Sequence, residues 1–514
     1  MIPRVIALAT ATAGLGLWPV TVAADTYPRQ PGIDALNYAF HLTLSDDTDA
    51  IAGETTVDLR FVAEGIREIR LDLVGASGRT DGKGMTVSRV RDGATGLPFR
   101  HEGDVLRVTL ATPSTAGEQR RITVTYGGVA ASGLRVGANR HGERTFFSDN
   151  WPSRARHWLP TIDHPYDKAT CEFVVSAPAR YQVVSNGLIV EETDLAGGLR
   201  RTHWRQSVPI ATWLYVLGVA RFAVDHYDSF EGRPLQSWVY PQDRDAGFRD
   251  FSYPTRHALE FFSDAIGPYA YEKLANVQSA SVGGGMEAAT AIFYGQDLVQ
   301  GERTERVRNV IIHEIAHQWW GNAVTEADWD DVWLSEGFAT YFTLLFREHA
   351  YGRDEFVRGL QESRRRVLDF HAKRPDYRIV HDNLDDMSQV TTGQTYQKGA
   401  WVLHMLRGLV GDEAFWRGIR TYYARFLDRN ATTAGFRQAM EEAAGRHLGR
   451  FFQQWLYRGG LPAVAGGWRY ENGEVVVDLR QTQPGEPFEL AIPVGIRLDA
   501  AGPARVEILT MTGP

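Results

Sequence analysis

From Leu36 to about Phe222, apolar and polar residues alternate with a period of two. Tyr38, Phe40, Leu42 and Leu44 share one face, as do Val57, Leu59 and Phe61, then Ile69, Leu71 and Leu73. Leu106, Val108 and Leu110 repeat the pattern, followed by Ile122, Val124 and Tyr126. Successive strand side chains point to opposite faces, so each run predicts a half-buried strand. Asp81-Gly82 and Asn186-Gly187 are turn signals between runs. An N-terminal antiparallel β domain over 25–224 is expected. After about Asp225 the apolar spacing lengthens to three and four residues. It does so in Arg256 to Ile266, Glu305 to Trp320, Glu336 to Ala350, Asp354 to Phe370 and Gly399 to Val410. That is the spacing of amphipathic helices, and it predicts a mainly helical domain over 225–455. Tyr457-Arg458-Gly459-Gly460-Leu461-Pro462 then breaks the helical pattern. Alternation returns in Val475, Val477 and Leu479, in Phe488, Leu490 and Ile492, and in Ile496 and Leu498. A short C-terminal β module over 456–514 is expected, and it stops so soon after Ile508-Leu509 that it reads as incomplete. The fold class is multidomain α+β.

The first 24 residues stand apart. Arg4 supplies a positive charge, Val5 to Val20 is apolar, and Val22-Ala23-Ala24 ends the stretch on small residues. A secretory signal peptide over 1–24, cleaved after Ala24, is the expectation, which would make the protein secreted or periplasmic. The competing reading is a membrane anchor, but the run is short and is interrupted by Gly14, Gly16 and Pro19. No later segment holds eighteen uninterrupted apolar residues, so no membrane span is expected after cleavage.

A net charge of −8 argues against nucleic acid or an anionic membrane as partner. Cys171 is the single cysteine, so the chain can form neither an intrachain disulfide nor a thiolate-rich metal site. It alternates with Phe173 and Val175 and is expected to be a buried strand residue. Any metal must therefore be held by histidines and carboxylates.

Such a set lies in Val310-Ile311-Ile312-His313-Glu314-Ile315-Ala316-His317-Gln318-Trp319-Trp320. Residues four apart on a helix stand one above the other, so His313 and His317 can present imidazoles to one ion. Glu314, one residue on from the first ligand, can flank the metal and serve as base for an attacking water. A second helical pattern begins near Trp333, and Glu336 follows His317 after 18 intervening residues. A turn and an antiparallel helix fit that gap and would return the carboxylate to the imidazoles. Two histidines and one glutamate leave a fourth tetrahedral position open, the ligand set of a catalytic zinc site. The bland alternative is two surface histidines and an unrelated helix-capping glutamate.

His-Glu-Ile-Ala-His-Gln-Trp-Trp-Gly-Asn followed by Trp-Leu-Ser-Glu-Gly-Phe-Ala resembles the gluzincin zinc aminopeptidases related to aminopeptidase N and leukotriene hydrolase. Gly283-Gly284-Gly285-Met286-Glu287 is similar to that family's Gly-x-Met-Glu-Asn exopeptidase motif, and Tyr396-Gln397-Lys398-Gly399-Ala400 to its Tyr-x-Lys-Gly-Ala signature. The likeness reaches into the β domain at Ala155-Arg156-His157-Trp158-Leu159-Pro160 and Asp163-His164-Pro165-Tyr166-Asp167-Lys168-Ala169. The resemblance implies a thermolysin-like catalytic domain, one Zn2+ per chain, and hydrolysis of the N-terminal bond of peptides with free N-termini. It implies that Tyr396 stabilises the oxyanion. It also implies that Gly284, Gly285 and Met286 line the path of an extended substrate whose α-amine meets Glu287.

Two positions depart from the family pattern. Ala288 stands where the family has Asn, and Trp151 where relatives carry a Glu or Gln near the amine, with Asp149 or Asn150 as local substitutes. An endopeptidase of the same fold and a non-catalytic peptide-binding relative are the alternatives. Asn322, Asp331 and Tyr341 are candidates to support the ligands, with capping or packing as the competing reading, and His404 is expected to be a core histidine.

Overall fold

The computed structural model describes residues 25–381, 390–497 and 502–513; the expected signal segment 1–24 and Leu498 lie outside the described residues. The first alternating run folds as Ile33–Thr43, which pairs antiparallel with Ala50–Phe61. These strands form the middle of an eight-stranded sheet. Its order is Leu188–Leu195, Leu199–Ala211, Lys168–Pro178, Ile33–Thr43, Ala50–Phe61, Gln119–Val129, Gly84–Asp92 and Thr95–Gly96. Every neighbouring pair is antiparallel except Ile33–Thr43 with Lys168–Pro178, which run parallel. A parallel pair needs a long crossover, and the chain between Thr43 and Lys168 supplies one. The core face carries Tyr38, Phe40, Val57, Leu59, Phe173 and Cys171, all buried as the alternation predicts. Four- and three-stranded sheets complete the domain.

The region after about Ala223 begins with a sheet that helical spacing alone does not foresee. Ala223–Phe230, Arg233–Val239, Leu274–Ser279, Ala291–Gly295 and Gly285–Met286 lie side by side in that order. Leu274–Ser279 pairs parallel with both neighbours and is buried along its whole length, as is Ala291–Gly295. Strands covered on both faces do not alternate, which is why the pattern hides them.

Eight α-helices follow among the described residues. They are α1 Arg244–Ala265, α2 Glu305–Ala316, α3 Trp333–Tyr351, α4 Arg353–Lys373, α5 Gly399–Val410, α6 Asp412–Phe426, α7 Thr433–Ala444 and α8 Gly449–Leu456. α2 opens on Thr304, whose side chain accepts from the Val307 N–H and satisfies one of the exposed first-turn donors. α3 starts at Trp333, where the second helical pattern begins, and is buried over most of its length. Arg364, Arg365 and Arg366 lie on the solvent face of α4.

The last residues form two separate hairpins, Val464–Glu471 with Glu474–Gln481 and Leu490–Ile496 with Arg505–Met511. Phe488 stacks 5.3 Å from Trp455, and the Gln454 side-chain amide donates to the Glu489 carbonyl at 2.9 Å, so the hairpins attach through α8. Among the described residues, no helix is long and apolar enough to cross a membrane.

Candidate active site

α2 and α3 bring the predicted ligands together. The Nε2 atoms of His313 and His317 lie 3.1 Å apart, and Glu336 Oε2 lies 3.4 Å from the first and 3.2 Å from the second. Glu336 Oε2 is buried without a hydrogen-bond partner. A buried carboxylate oxygen left so, with two imidazole nitrogens turned toward it, is the arrangement expected around a cation. The His317 ring is fixed from behind. Its Nδ1 is 3.0 Å from the Trp320 carbonyl and 3.0 Å from Ser335 Oγ, so Nδ1 donates and the Nε2 lone pair faces the centre. Ser335 fits there because residue 321 is glycine: its φ is +97°, and a Cβ would sit 2.1 Å from Ser335 Oγ. The donor set of two imidazoles and one carboxylate fits one Zn2+ with an open fourth position.

Tyr396, Glu314 and Glu287 lie beside the same centre. Tyr396 sits on a single π-helical turn, Gln394–Lys398, ahead of α5, and its hydroxyl donates to Glu336 Oε1 at 2.6 Å. Gly337 and Gly399 make this approach possible, since a Cβ on either would come within 3.0 Å of the other's Cα. Glu314 is buried beside the centre, and Gly285 packs so tightly on it that a Cβ there would meet Glu314 Oε1 at 2.1 Å. Gly283 and Gly284 touch nothing comparable, and Met286 is buried. Gly285–Met286 is the edge strand of the five-stranded sheet, antiparallel to Ala291–Gly295. An edge strand is a template on which an extended peptide can pair.

Glu287 is buried next to it, and its carboxylate groups with Glu314 and His317. Its backbone carbonyl accepts from the Asn322 amide at 2.7 Å and the Gln318 amide at 3.0 Å, while Gln318 Oε1 accepts from the Thr290 N–H at 3.2 Å. The turn after α2 thus positions Glu287 as firmly as the helix positions the ligands. From the β domain, the Lys168 ammonium donates to the Asn322 and Ala323 carbonyls, both at 3.0 Å.

The charges are crowded. Burial raises the Glu314 carboxyl well above the usual range, and Glu287 adds to the effect. Burial also raises Glu287, to about 7, against the pull of His317. Glu336 goes the other way: burial disfavours its charge, but His317 and His313 outweigh that and hold it at about 2. For His317, burial is overcome by Glu287 and Glu336, and its imidazole is held up to about 10.

Asn322, Asp331 and Tyr341 are engaged elsewhere. Asn322 holds Glu287, Asp331 caps α7 through Thr433, and Tyr341 meets His404 Nδ1 at 3.3 Å. Their spacing near the motif did not distinguish these duties. Ser335 and Gln318 are the supporting residues that the sequence reading missed; both flank the ligands in sequence, which is the only signal they give. In the β domain, Trp151 packs edge-on against Trp213 and Trp329, with ring centres 5.0 and 4.9 Å away. Asn150 is spent inside the β domain, accepting from the Trp158 indole and donating to the Tyr215 carbonyl. Asp149 is paired with Arg154 at 2.6 Å. Both line a cavity of about 320 Å³ with Gly133, Arg135 and Ser281.

Two imidazoles one turn apart and a carboxylate from the next helix, with a buried glutamate beside them and a β domain alongside, define a gluzincin metal centre. The chain belongs to peptidase family M1: the Peptidase family M1 domain matches residues 254–455 and the Peptidase M1 N-terminal domain matches 34–214. It is 29% identical to glutamyl aminopeptidase of Rattus norvegicus over 329 residues, which cover 62% of this chain and 35% of that protein. Against the Homo sapiens glutamyl aminopeptidase the identity is 26%, over 84% of this chain and 47% of the relative. The chain thus spans less than half the length of these curated relatives. Among solved structures, the M1 zinc metallopeptidase of Deinococcus radiodurans, in a mutant bound to a Tyr-Ser-Ala substrate, matches with a TM-score of 0.72. The two chains are 26% identical, over 84% of this one and 96% of that one.

Proposed function

We propose that the protein is a zinc-dependent aminopeptidase that hydrolyses the N-terminal bond of peptides, with His313, His317 and Glu336 as metal ligands. The observation that carries this reading is the grouping of Glu287 with Glu314 and His317 beside the metal trio, at the end of an edge strand. When bound, the ion would supply Lewis-acid activation of the attacking water and the scissile carbonyl. Glu314 takes the proton from that water and delivers it to the leaving amine. Its buried position, under Gly285, keeps competing solvent away and makes the carboxylate a stronger base than an exposed one. The Tyr396 hydroxyl turns from Glu336 to donate to the oxyanion of the tetrahedral intermediate. Gly284, Gly285 and Met286 pair with the substrate backbone, and Glu287 receives its α-ammonium, an ion pair strengthened by burial.

The Tyr-Ser-Ala substrate of the Deinococcus radiodurans relative supports a peptide as the ligand class. The signal segment supports secretion or periplasmic export with cleavage after Ala24. Residues 25–224, 225–455 and 456–514 act as β domain, catalytic domain and C-terminal module in this reading. The test is hydrolysis of aminoacyl arylamides beside their N-acetylated forms. Turnover of the free substrates alone is expected. Equal cleavage of the blocked ones points to an endopeptidase, and no cleavage of either with zinc bound points to a binding protein.

A further inference from the structure

The backbone nitrogen of Asp25 lies 3.1 Å from Asp328 Oδ1 and 3.2 Å from Oδ2. Asp25 Oδ2 accepts from His164 Nε2 at 2.6 Å and from the Trp329 N–H at 3.4 Å, and Oδ1 from the Tyr27 N–H at 3.1 Å. His164 Nδ1 accepts from the Tyr166 N–H at 3.2 Å, which assigns the ring's proton to Nε2 and makes it a donor to Asp25. The side chains of Asp25 and His164 are 4% and 1% exposed. Terminal residues usually fray because so little holds them. Here residue 25 is fixed by groups 139 and 303 positions away in sequence.

We infer that hydrolysis of the Ala24–Asp25 bond creates an α-ammonium on Asp25 that docks into the Asp328 carboxylate and braces the turn leading into α3. This rests on the signal-peptide reading above. In the reaction a leader peptidase adds water across the bond: the C–N bond breaks, Ala24 leaves as the carboxylate end of the leader, and the Asp25 amine takes up a proton near neutral pH. The single amide N–H of the uncleaved chain is shared between the two carboxylate oxygens, whereas an ammonium carries a full charge and three hydrogens and can donate to each oxygen separately.

The charge count points the same way. Asp25 and Asp328 bring two negative charges, and Arg29 is the guanidinium between them, 2.7 Å from Asp328 and 3.8 Å from Asp25. Burial pushes His164 down, toward its neutral form. Before cleavage, burial and then the Asp25 carboxylate hold Asp328 up, to about 7, with Asp330 adding to the effect. A second positive charge at the Asp25 nitrogen balances the pair.

The dock has a structural consequence. The Asp328 side chain also accepts from the Asp330 N–H at the start of the turn Trp329–Asp331, which runs into α3 and Glu336. Trp329 in that turn packs on Trp151 and His164.

The test uses the mature chain released from a fusion cleaved immediately before Asp25, beside the same chain with Gly-Ser in front, each with and without Asp328→Asn. The rate of α-amine acylation at pH 7 is read by mass spectrometry. An ion pair that raises the amine's pKa by about one unit lowers its reactive fraction about tenfold. The Asp25-first protein is therefore expected to label about tenfold more slowly than its D328N variant and than the Gly-Ser chain. Equal rates in the Asp25-first and Gly-Ser proteins overturn the docking, and this comparison does not depend on how D328N folds. Sequencing the start of the exported native protein separates the two readings: a start other than Asp25 overturns the processing and the proposal with it.

Discussion

The metal end of the site and its proposed amine end stand side by side, yet they differ in how they are held. At the metal end, every participating side chain is fixed by a helix or by a close glycine contact. His313 and His317 are one turn apart on α2 and its continuation, Glu336 lies in the first turn of α3, and the Gly337–Gly399 crossing carries Tyr396 to Glu336. At the amine end, Glu287 is held through its backbone carbonyl by Gln318 and Asn322, and its carboxylate groups with Glu314 and His317. Around it, Trp151 presents an aromatic edge where relatives are expected to have a polar group, and Asp149 is already paired with Arg154. Helical geometry tolerates little variation, whereas a loop pocket can change its side chains without losing the fold. In the proposed function, chemistry is set by one end and substrate choice by the other.

The proposed roles make this contrast testable. Glu314→Gln should have the largest effect: kcat is expected to fall by about 10²–10⁴-fold with full zinc occupancy by metal analysis. Retained turnover would remove Glu314 as the base. Tyr396→Phe should lower kcat by about 10²–10³-fold with KM little changed, as expected for a donor that acts in the transition state. An equal fall in binding and turnover would instead mark it as a scaffold for Glu336. Glu287→Gln should act at the other end, lowering kcat/KM for free N-termini by at least about 30-fold. It should leave the low rate on N-acetylated substrates as it was, so that a parallel loss on both would refute amine recognition. The smallest effect is expected for Asp149→Asn. Its carboxylate is partly exposed and already paired, so KM should change by no more than about fivefold. A larger rise in KM for free substrates alone would make Asp149 the second amine anchor and erase the contrast.

Much of this was readable from residue spacing. The four-residue step from His313 to His317 dictates a shared helix face, and the alternation around Tyr38 and Cys171 dictates which side of each strand is buried. The buried strands Leu274–Ser279 and Ala291–Gly295 left no trace, because residues covered on both faces lose the alternation that identifies a strand. Asn322 was legible as important but not in its duty. Its distance in sequence from Glu287 conceals a 2.7 Å hydrogen bond.

The sequence by itself determined the donor set, the glutamate beside it and the division into β and helical regions. Each follows from local periodicity, which the backbone geometry of helix and strand enforces residue by residue. Only the tertiary structure decided that Tyr396 meets Glu336, that Gly285 roofs Glu314, that Asn322 and Gln318 hold Glu287, and that Asp25 reaches Asp328. These are contacts between segments distant in sequence, made where a missing Cβ or a buried charge lets two elements come close. No local pattern encodes such an approach.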